Sequence, residues 1–383
     1  MKKICIFTSS RADYYLLSKL ALKLDEYKNI TVQILVSGTH LLKKYGYLYK
    51  EISKTHKNIF NCKIIDSSIK DNFVLDVFSK SIKRVGKKLN KLNPDIFVVL
   101  GDRYEAFAAT ISANILKIPI AHISGGEVTE GALDDSFRHS MSKLSNIHFV
   151  GHKVYKKRII QLGENAKNIF VVGGTGSEDI NKIEFLEKKF LEKNLNLKFQ
   201  KKNFLITIHP ETVNIKNNEK IINSLFPILK KMKDTLVIFT SPNIDPDSDI
   251  IEKSILNLVK NNINFKYFKN LGVKKYFSCI KYCDAVVGNS SSGISEVPSL
   301  GKFTINIGDR QKGRLFAKSI INCKPSKKSI NKSFKKIYDK NYQKNLTNLV
   351  NPYYKENTSL KIAKVLKIIN LKKISSKKFI DIK

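Results

Sequence analysis

The residues able to do chemistry gather where short apolar runs end. GDRYE (101–105) brings Asp102 and Arg103 together, AHISGGE (121–127) ends in Glu127, DDSFRHS (134–140) opens with Asp134, and TIHPET (207–212) holds His209. Carboxylates and imidazoles exchange protons, while guanidinium forks neutralise departing anions. A second kind of site is suggested by DAVVGNSSSGISE (284–296). It reads as a buried strand turning into a helix, and a helix start offers unpaired N–H groups and a positive dipole end to a phosphate. Ser290 and Ser291 add hydroxyl donors, and Glu296, just inside the expected helix, could accept from a ribose diol. The next apolar run ends in NIGDRQKGR, placing Arg310 and Arg314 at the same edge. These groups together suit a nucleoside diphosphate. Taken singly each has a plainer explanation: Ser followed by Glu also caps helices, a strand-end Asp does the same, and His122 or His209 alone fits a hydrogen-bonded core.

Other phosphate and cofactor motifs are missing. GxxxxGK[ST] does not occur, and the first strand-to-helix turn reads FTSSRADYY where a dinucleotide site would need GxGxxG. A P-loop enzyme and an NAD enzyme are therefore not expected. Cys5, Cys62, Cys279, Cys283 and Cys323 form no CxxC pair and no zinc-spaced cluster with His, so neither a metal site nor a disulfide is expected.

The elements that must position these residues follow from periodicity. Short β-branched runs alternate with helical segments, the pattern of parallel sheets covered on both faces. Strands are predicted in KICIFTSS, ITVQILVSG, DIFVVLGD, IPIAHISGG and IHFVGH, and again in NFLITIHPE, TLVIFTSPN, INFKYFKN, DAVVGNSSSG and FTINIGDRQ. In such sheets ligands lie beyond the carboxyl ends of the strands, where the polar residues sit. The glycine-rich VVGGTGSEDINK suggests a hinge near residue 175. The expected fold is α/β, two Rossmann-like domains facing a central cleft, over 1–175 and 176–383. The second would hold the nucleotide and the C-terminal helix, with a loose lysine-rich tail.

With 383 residues and 42% hydrophobic content the chain can fill two cores. Its formal charge of +36 would suit a polyanionic partner, but seven of the 69 basic residues are arginine and the lysines are dispersed along the chain. Nucleic-acid readers favour clustered arginine, so no nucleic-acid partner is expected. When lysine is the default cation, each arginine marks a place that needs a fork, and five of the seven fall in SSRADY, GDRYE, FRHS, GDRQ and KGR. MKKICIFTSS turns polar too soon for a signal peptide, and no apolar run reaches membrane-spanning length. A soluble, cytoplasmic protein without a membrane partner is expected.

Between Ser10 and about Asn351 the chain carries SRADY, SGTH with YG shortly after, LGDRYE, GGEVTEGALDDSFRH, KRIIQLGE, HPET, PNID, GNSSSGISEVPSL and NIGDRQKGR. In this set it resembles the hydrolysing UDP-N-acetylglucosamine 2-epimerases, the bacterial sialic-acid type and the epimerase half of its animal bifunctional relative. The resemblance implies a GT-B-type fold with the nucleotide held mainly by the second domain. It implies loss of the nucleoside diphosphate and of the C2 proton to give a 2-acetamidoglycal, then addition of water to release the free 2-epimeric sugar. No NAD or metal cofactor is required by that scheme, and a homo-oligomer, dimer or tetramer, is implied. By resemblance Arg11, Asn243, Ser290, Ser291, Glu296 and Arg310 match nucleotide-binding positions, Arg103 adjoins the diphosphate, and His40 faces the sugar. Asp102, Asp134 and His209 match catalytic positions. Where relatives often have an acid or His before GGE this chain has Ser124, so the base role falls among Glu127, Asp102 and Asp134.

Three alternatives share parts of this pattern. One is a 2-epimerase of UDP- or GDP-linked N,N′-diacetylbacillosamine, on the legionaminic-acid branch. Another is a GT-B glycosyltransferase, against which HPET and GDRYE argue. The third is a binding protein without catalysis, disfavoured by the many acids in the motifs, which would repel a polyanion.

Overall fold

The computed structural model describes residues 1–43, 46–66, 73–178, 180–243, 245 and 247–381. Tyr45 of the YG pair and Ile244 of PNID lie outside the described residues. The chain divides into two compact units: Met1–Glu127 with Asp134–Glu178 and Lys355–Lys383, and Val128–Leu133 with Asp179–Tyr354.

In the first unit seven parallel strands, β1 (Lys2–Thr8), β2 (Ile30–Ser37), β3 (Ile59–Cys62), β4 (Ile96–Leu100), β5 (Ile120–Ile123), β6 (Ile147–Val150) and β7 (Ile169–Val171), form one sheet. Its order is β3-β2-β1-β4-β5-β6-β7. Successive side chains of a strand point to opposite faces, and β1 shows the consequence. Ile4 and Ile6 join Leu17, Leu20 and Leu24 of the helix Arg11–Asp25 in one core, while Cys5 and Phe7 join Val85 and Leu89 of the helix Phe73–Leu92 in the other. A sheet buried on both sides needs continuous apolar strands, which is why these runs stand out in the sequence.

The second unit repeats the plan with β8 (Lys202–Thr207), β9 (Thr235–Thr240), β10 (Phe265–Phe268), β11 (Ala285–Gly288), β12 (Phe303–Ile307) and β13 (Ile320–Cys323), all parallel, in the order β10-β9-β8-β11-β12-β13. All ten strands expected from the sequence are present. The additional ones, β3, β7 and β13, are the edges or lie in polar sequence, where the apolar run is short. In each sheet the order reverses beside the first strand, between β1 and β4 and between β8 and β11, and the carboxyl ends there are where ligands of such sheets bind.

Two expectations need correction. Ile362, Ala363 and Leu366 of the helix Thr358–Ile368 pack with Leu17 and Leu20, so this segment completes the first unit and not the second. Glu178 satisfies the helix's first turn from within that unit, Oε2 accepting the Ser359 N–H at 2.7 Å. The tail is also not loose. Ile374 is buried, Lys377 Nζ donates to Ser145 O at 2.6 Å and pairs with Glu164 Oε2 at 2.8 Å, and Ile380 N–H donates to Gly163 O at 3.0 Å. The ring of Phe379 fills the space beside Gly163, where a Cβ would meet it at 2.5 Å. Lysine-rich composition hid a segment whose few apolar residues are the ones that dock. Truncating the chain after Ile369 is expected to remove roughly 2–4 kcal/mol from the first unit through lost burial and the loss of Lys377 from Glu164, which keeps only Lys143 as a lysine partner. The check is its unfolding midpoint in urea, and an unchanged midpoint would mean that the strap is not held in solution.

Candidate functional site

The candidate residues form two sets, one at the carboxyl edge of each sheet. In the first unit the loop after β1 opens the helix Arg11–Asp25 with Ser10 as N-cap and Asp13 closing a capping box. Asp13 also accepts from Ser9 N–H at 3.1 Å and from the Thr8 hydroxyl, and Thr8 Oγ1 lies 2.9 Å from His40 Nε2. Burial alone would raise the Asp13 carboxyl, but hydrogen bonds from His40, Thr8 and Ser9 outweigh it and hold the group below its ordinary range. His40 is thus buried in a network that rigidifies the turn carrying Arg11. A Cβ on Gly46, at φ +90°, would come within 3.0 Å of Arg11 Nη2, so this glycine gives the guanidinium its room.

The loop after β4 holds Asp102 and Arg103. Arg138, on the helix Asp134–Leu144, is fully buried and acts as a hub. Nη2 pairs with Asp102 Oδ2, and Nη1 donates to Glu127 O and Asp135 Oδ1, both at 3.1 Å. One guanidinium therefore draws the GDRYE loop, the GGE loop and the start of this helix together. Asp134 is the helix's first residue, where the dipole favours a carboxylate. Arg103 makes a two-pronged pair with the fully buried Glu105, Nε and Nη2 each 3.1 Å from a carboxylate oxygen. That fork fixes the direction of the guanidinium.

His122 on β5 holds the same loop from below. Nε2 lies 2.8 Å from Gly101 O and Nδ1 3.1 Å from Ser142 Oγ, so the proton sits on Nε2 and the Ser142 hydroxyl donates to Nδ1. Burial pushes this imidazole down to about 4, with His148 and His139 adding to the effect against the pull of the Gly101 carbonyl. It is a neutral structural bridge and no proton carrier near neutrality.

In the second unit Asn289, from GNSSSG, is the organising side chain. It is buried, its Oδ1 accepts from His209 N–H at 2.7 Å, and its Nδ2 donates to His209 O at 2.8 Å. Its own carbonyl accepts from Arg310 Nη1 at 3.2 Å and from Gln311 Nε2 at 2.9 Å. The loops after β8, β11 and β12 are thereby locked together. His209 Nδ1 accepts from Asn243 N–H at 2.9 Å, which leaves Nε2 as the protonated, donating nitrogen. His209 is therefore presented as a donor.

The serine loop differs from expectation. Ser292–Ser295 is a single helical turn followed by a 3₁₀ turn, Val297–Leu300, because Pro298 interrupts the ladder and Gly301 turns left-handed. Glu296 stands at the junction of the two turns and not inside a longer helix. Ser290 Oγ accepts from Ser292 N–H at 3.4 Å, while Tyr276 OH donates to Ser292 Oγ at 3.1 Å. Gly288, at φ +128°, lets β11 lie against β8, since a Cβ would sit 1.9 Å from Thr207 O. The fork expected in FRHS is the Arg138 hub, whereas Asn289 and Glu211 were not singled out from the sequence, lying as polar residues in motifs otherwise assigned.

The short segment Val128–Leu133 belongs to the second unit although it lies between GGE and DDSFRH. Glu130 N–H donates to Lys312 O at 3.0 Å, their side chains pair at 2.7 Å, and Leu133 N–H donates to Thr212 Oγ1 at 2.9 Å. The expected single first-domain motif is thus divided between the two units. Among the described residues no group of three or more His, Cys, Asp or Glu could hold a metal ion, and no helix is long and apolar enough to cross a membrane.

Comparison with known proteins gives the arrangement its context. A family model described as UDP-N-acetylglucosamine 2-epimerase matches residues 22–367. The chain is 41% identical, over its whole length and 99% of the relative, to a GDP/UDP-N,N′-diacetylbacillosamine 2-epimerase (hydrolyzing) of Campylobacter jejuni. It is 35% identical, over its whole length and 98% of the relative, to the polysialic acid biosynthesis protein P7 of Escherichia coli. A crystal structure of UDP-GlcNAc 2-epimerase from Neisseria meningitidis bound to UDP-GlcNAc has the same fold, with a TM-score of 0.80 and 21% identity, covering 96% of this chain and all of that one.

The depressed value of His122 yields a test of this geometry. A group held neutral by burial contributes stability that is fully present above its unfolded value near 6.5 and is lost as pH falls towards about 4. Proton NMR of the imidazole resonances should show His122 unprotonated at pH 5.5. Titration near 6.5 would contradict the bridge between Gly101 and Ser142.

Proposed function

The chain belongs to the UDP-N-acetylglucosamine 2-epimerase family, and from that premise we propose that it is a hydrolysing 2-epimerase, converting UDP-N-acetylglucosamine and water to free N-acetylmannosamine and UDP. The observation that carries the proposal is the pairing of residue types already described. One unit presents Asp102, paired with the buried Arg138, and carries Glu127 and Asp134 on the loop and helix start that the same guanidinium ties to it; the other presents Arg310 and the Nε2–H of His209, gathered around Asn289. The first set suits proton transfer at a sugar carbon, the second a departing diphosphate.

In this scheme a carboxylate takes the C2 proton while the C1–O bond breaks. The electrons of the C–H bond form the C1=C2 double bond, and the diphosphate leaves with the pair from C1–O. Arg310 and His209 stabilise the charge that develops on it, and Arg103 and Arg11 extend the cationic set. Ser290, Ser291 and Asn243 contact the nucleotide, Glu296 takes the ribose diol, and His40 holds the turn on the sugar side. Water then adds across the glycal, with hydroxyl to C1 and a proton to C2 from the opposite face, which inverts C2. Asp102, Glu127 and Asp134 share the base and acid roles. The same reading carries a homo-oligomer, dimer or tetramer.

A second substrate has specific support, since the 41% identical relative is named for N,N′-diacetylbacillosamine linked to GDP or UDP. Proton NMR in D2O with UDP-N-acetylglucosamine and, separately, with UDP-N,N′-diacetylbacillosamine decides between them. The expected product is N-acetylmannosamine deuterated at C2 with released UDP; turnover of the diacetamido substrate alone would transfer the assignment. Asp102→Asn should lower kcat at least roughly a hundredfold while nucleotide affinity stays within about threefold, as loss of a proton-transfer group does. Unchanged turnover would remove Asp102 from the reaction.

A further inference from the structure

Glu211, the acid of HPET, is fully buried, and among the described residues none of its hydrogen-bond partners is a cationic side chain. Oε1 accepts from the backbone N–H of Asp309 at 2.7 Å and of Arg310 at 3.2 Å, and Oε2 accepts from Asn217 Nδ2 at 2.8 Å. Its own N–H donates to Asn218 Oδ1 at 2.8 Å. Burying a carboxylate is costly, and here its partners are amide N–H donors. Two of them are consecutive groups of the loop that carries Arg310.

That loop has few other anchors on the same side. Gly308, at φ +85°, opens it, and a Cβ there would come 2.2 Å from Glu211 Oε1, so the glycine is what lets the carboxylate reach the two amides. On its other side the backbone of Gly131 lies against Asp309 and Arg310, where a Cβ would meet Asp309 O at 2.6 Å. The guanidinium end is tied to Asn289 O. Backbone and side chain of Arg310 are therefore fixed from two loops that also hold His209.

We propose that Glu211 is a positioning residue: its carboxylate sets the backbone of residues 309 and 310 so that the Arg310 guanidinium meets the leaving diphosphate. It touches no substrate and acts through Arg310. The inference rests on the nucleotide-binding reading of Arg310 given above. It accounts for an acid two residues after His209 at a place where proton chemistry would be shielded from any sugar.

The test is a double-mutant cycle read by calorimetric binding of UDP, with circular dichroism and thermal melts to establish folding. Binding of UDP by the wild type and its loss of roughly tenfold to a hundredfold in Arg310→Ala, the value of a charge-assisted contact, establish the underlying reading first. Glu211→Ala should weaken UDP about tenfold, and the double variant should be no weaker than Arg310→Ala alone. Glu211→Gln, which keeps an acceptor for both amides, should restore most of the affinity. Gly308→Ala, which displaces the same carboxylate without removing it, should imitate Glu211→Ala and serves if that variant does not fold. Losses that multiply in the double variant, or full affinity in folded Glu211→Ala or Gly308→Ala, would overturn the proposal while leaving the role of Arg310 intact.

Discussion

The carboxyl edge of a parallel sheet is full of backbone groups that have left one ladder and not entered another. Each such group must find a partner or face water, and in this protein a few buried polar side chains supply the partners. His122 meets Gly101 O in the first unit; Asn289 meets both backbone groups of His209 in the second. Because these bridges are short and dry, the loops they join cannot drift separately. Asp102 and Arg103 follow the first of these bridges, and His209, Ser290, Ser291 and Arg310 sit on loops joined by the second.

The two units solve the problem with different chemistry, and the difference matches what each presents. A guanidinium at the centre of the first unit's loops, Arg138, gathers Asp102 and Asp135 by charge and the Glu127 carbonyl by hydrogen bonding. In the second unit the centre is a neutral amide, Asn289, whose carbonyl accepts from Arg310 and Gln311. Glu211 adds an anion only where amides face it, on the backbone side of the Arg310 loop.

Much of this was legible in the sequence and the remainder was hidden for identifiable reasons. Nine of the ten expected strands are central and showed because strands buried on both faces are largely apolar, as Ile4 to Phe7 and Val286 to Gly288 are; β10, at an edge, showed by its aromatic residues. Edge strands such as β3, with Asn61 exposed among its four residues, carry too little pattern. The placement of the helix Thr358–Ile368 was invisible because an amphipathic stripe says that a partner exists and not which sheet supplies it. Residue types suited to chemistry could be picked out by motif, but the side chains that position them could not, since a buried Asn or Glu looks like any other until its partners are known.

Pro298 shows how local sequence can overrule a pattern that reads well. SGISEVPSL has the spacing of a helix start, yet the proline ends the α ladder after Ser295 and Gly301 closes a second, tighter turn. The two short turns on either side of Glu296 are tied by Asn351, whose Nδ2 donates to Ser295 O and Ser299 Oγ at 2.8 and 2.7 Å. The turns that flank the acid expected on a ribose are therefore held by a side chain from the last stretch of the second unit, six residues before the Asn357 that precedes the C-terminal helix of the first. A substitution at Asn351 would loosen the serine loop from outside the motif, which is why a motif quoted as a string understates what holds it.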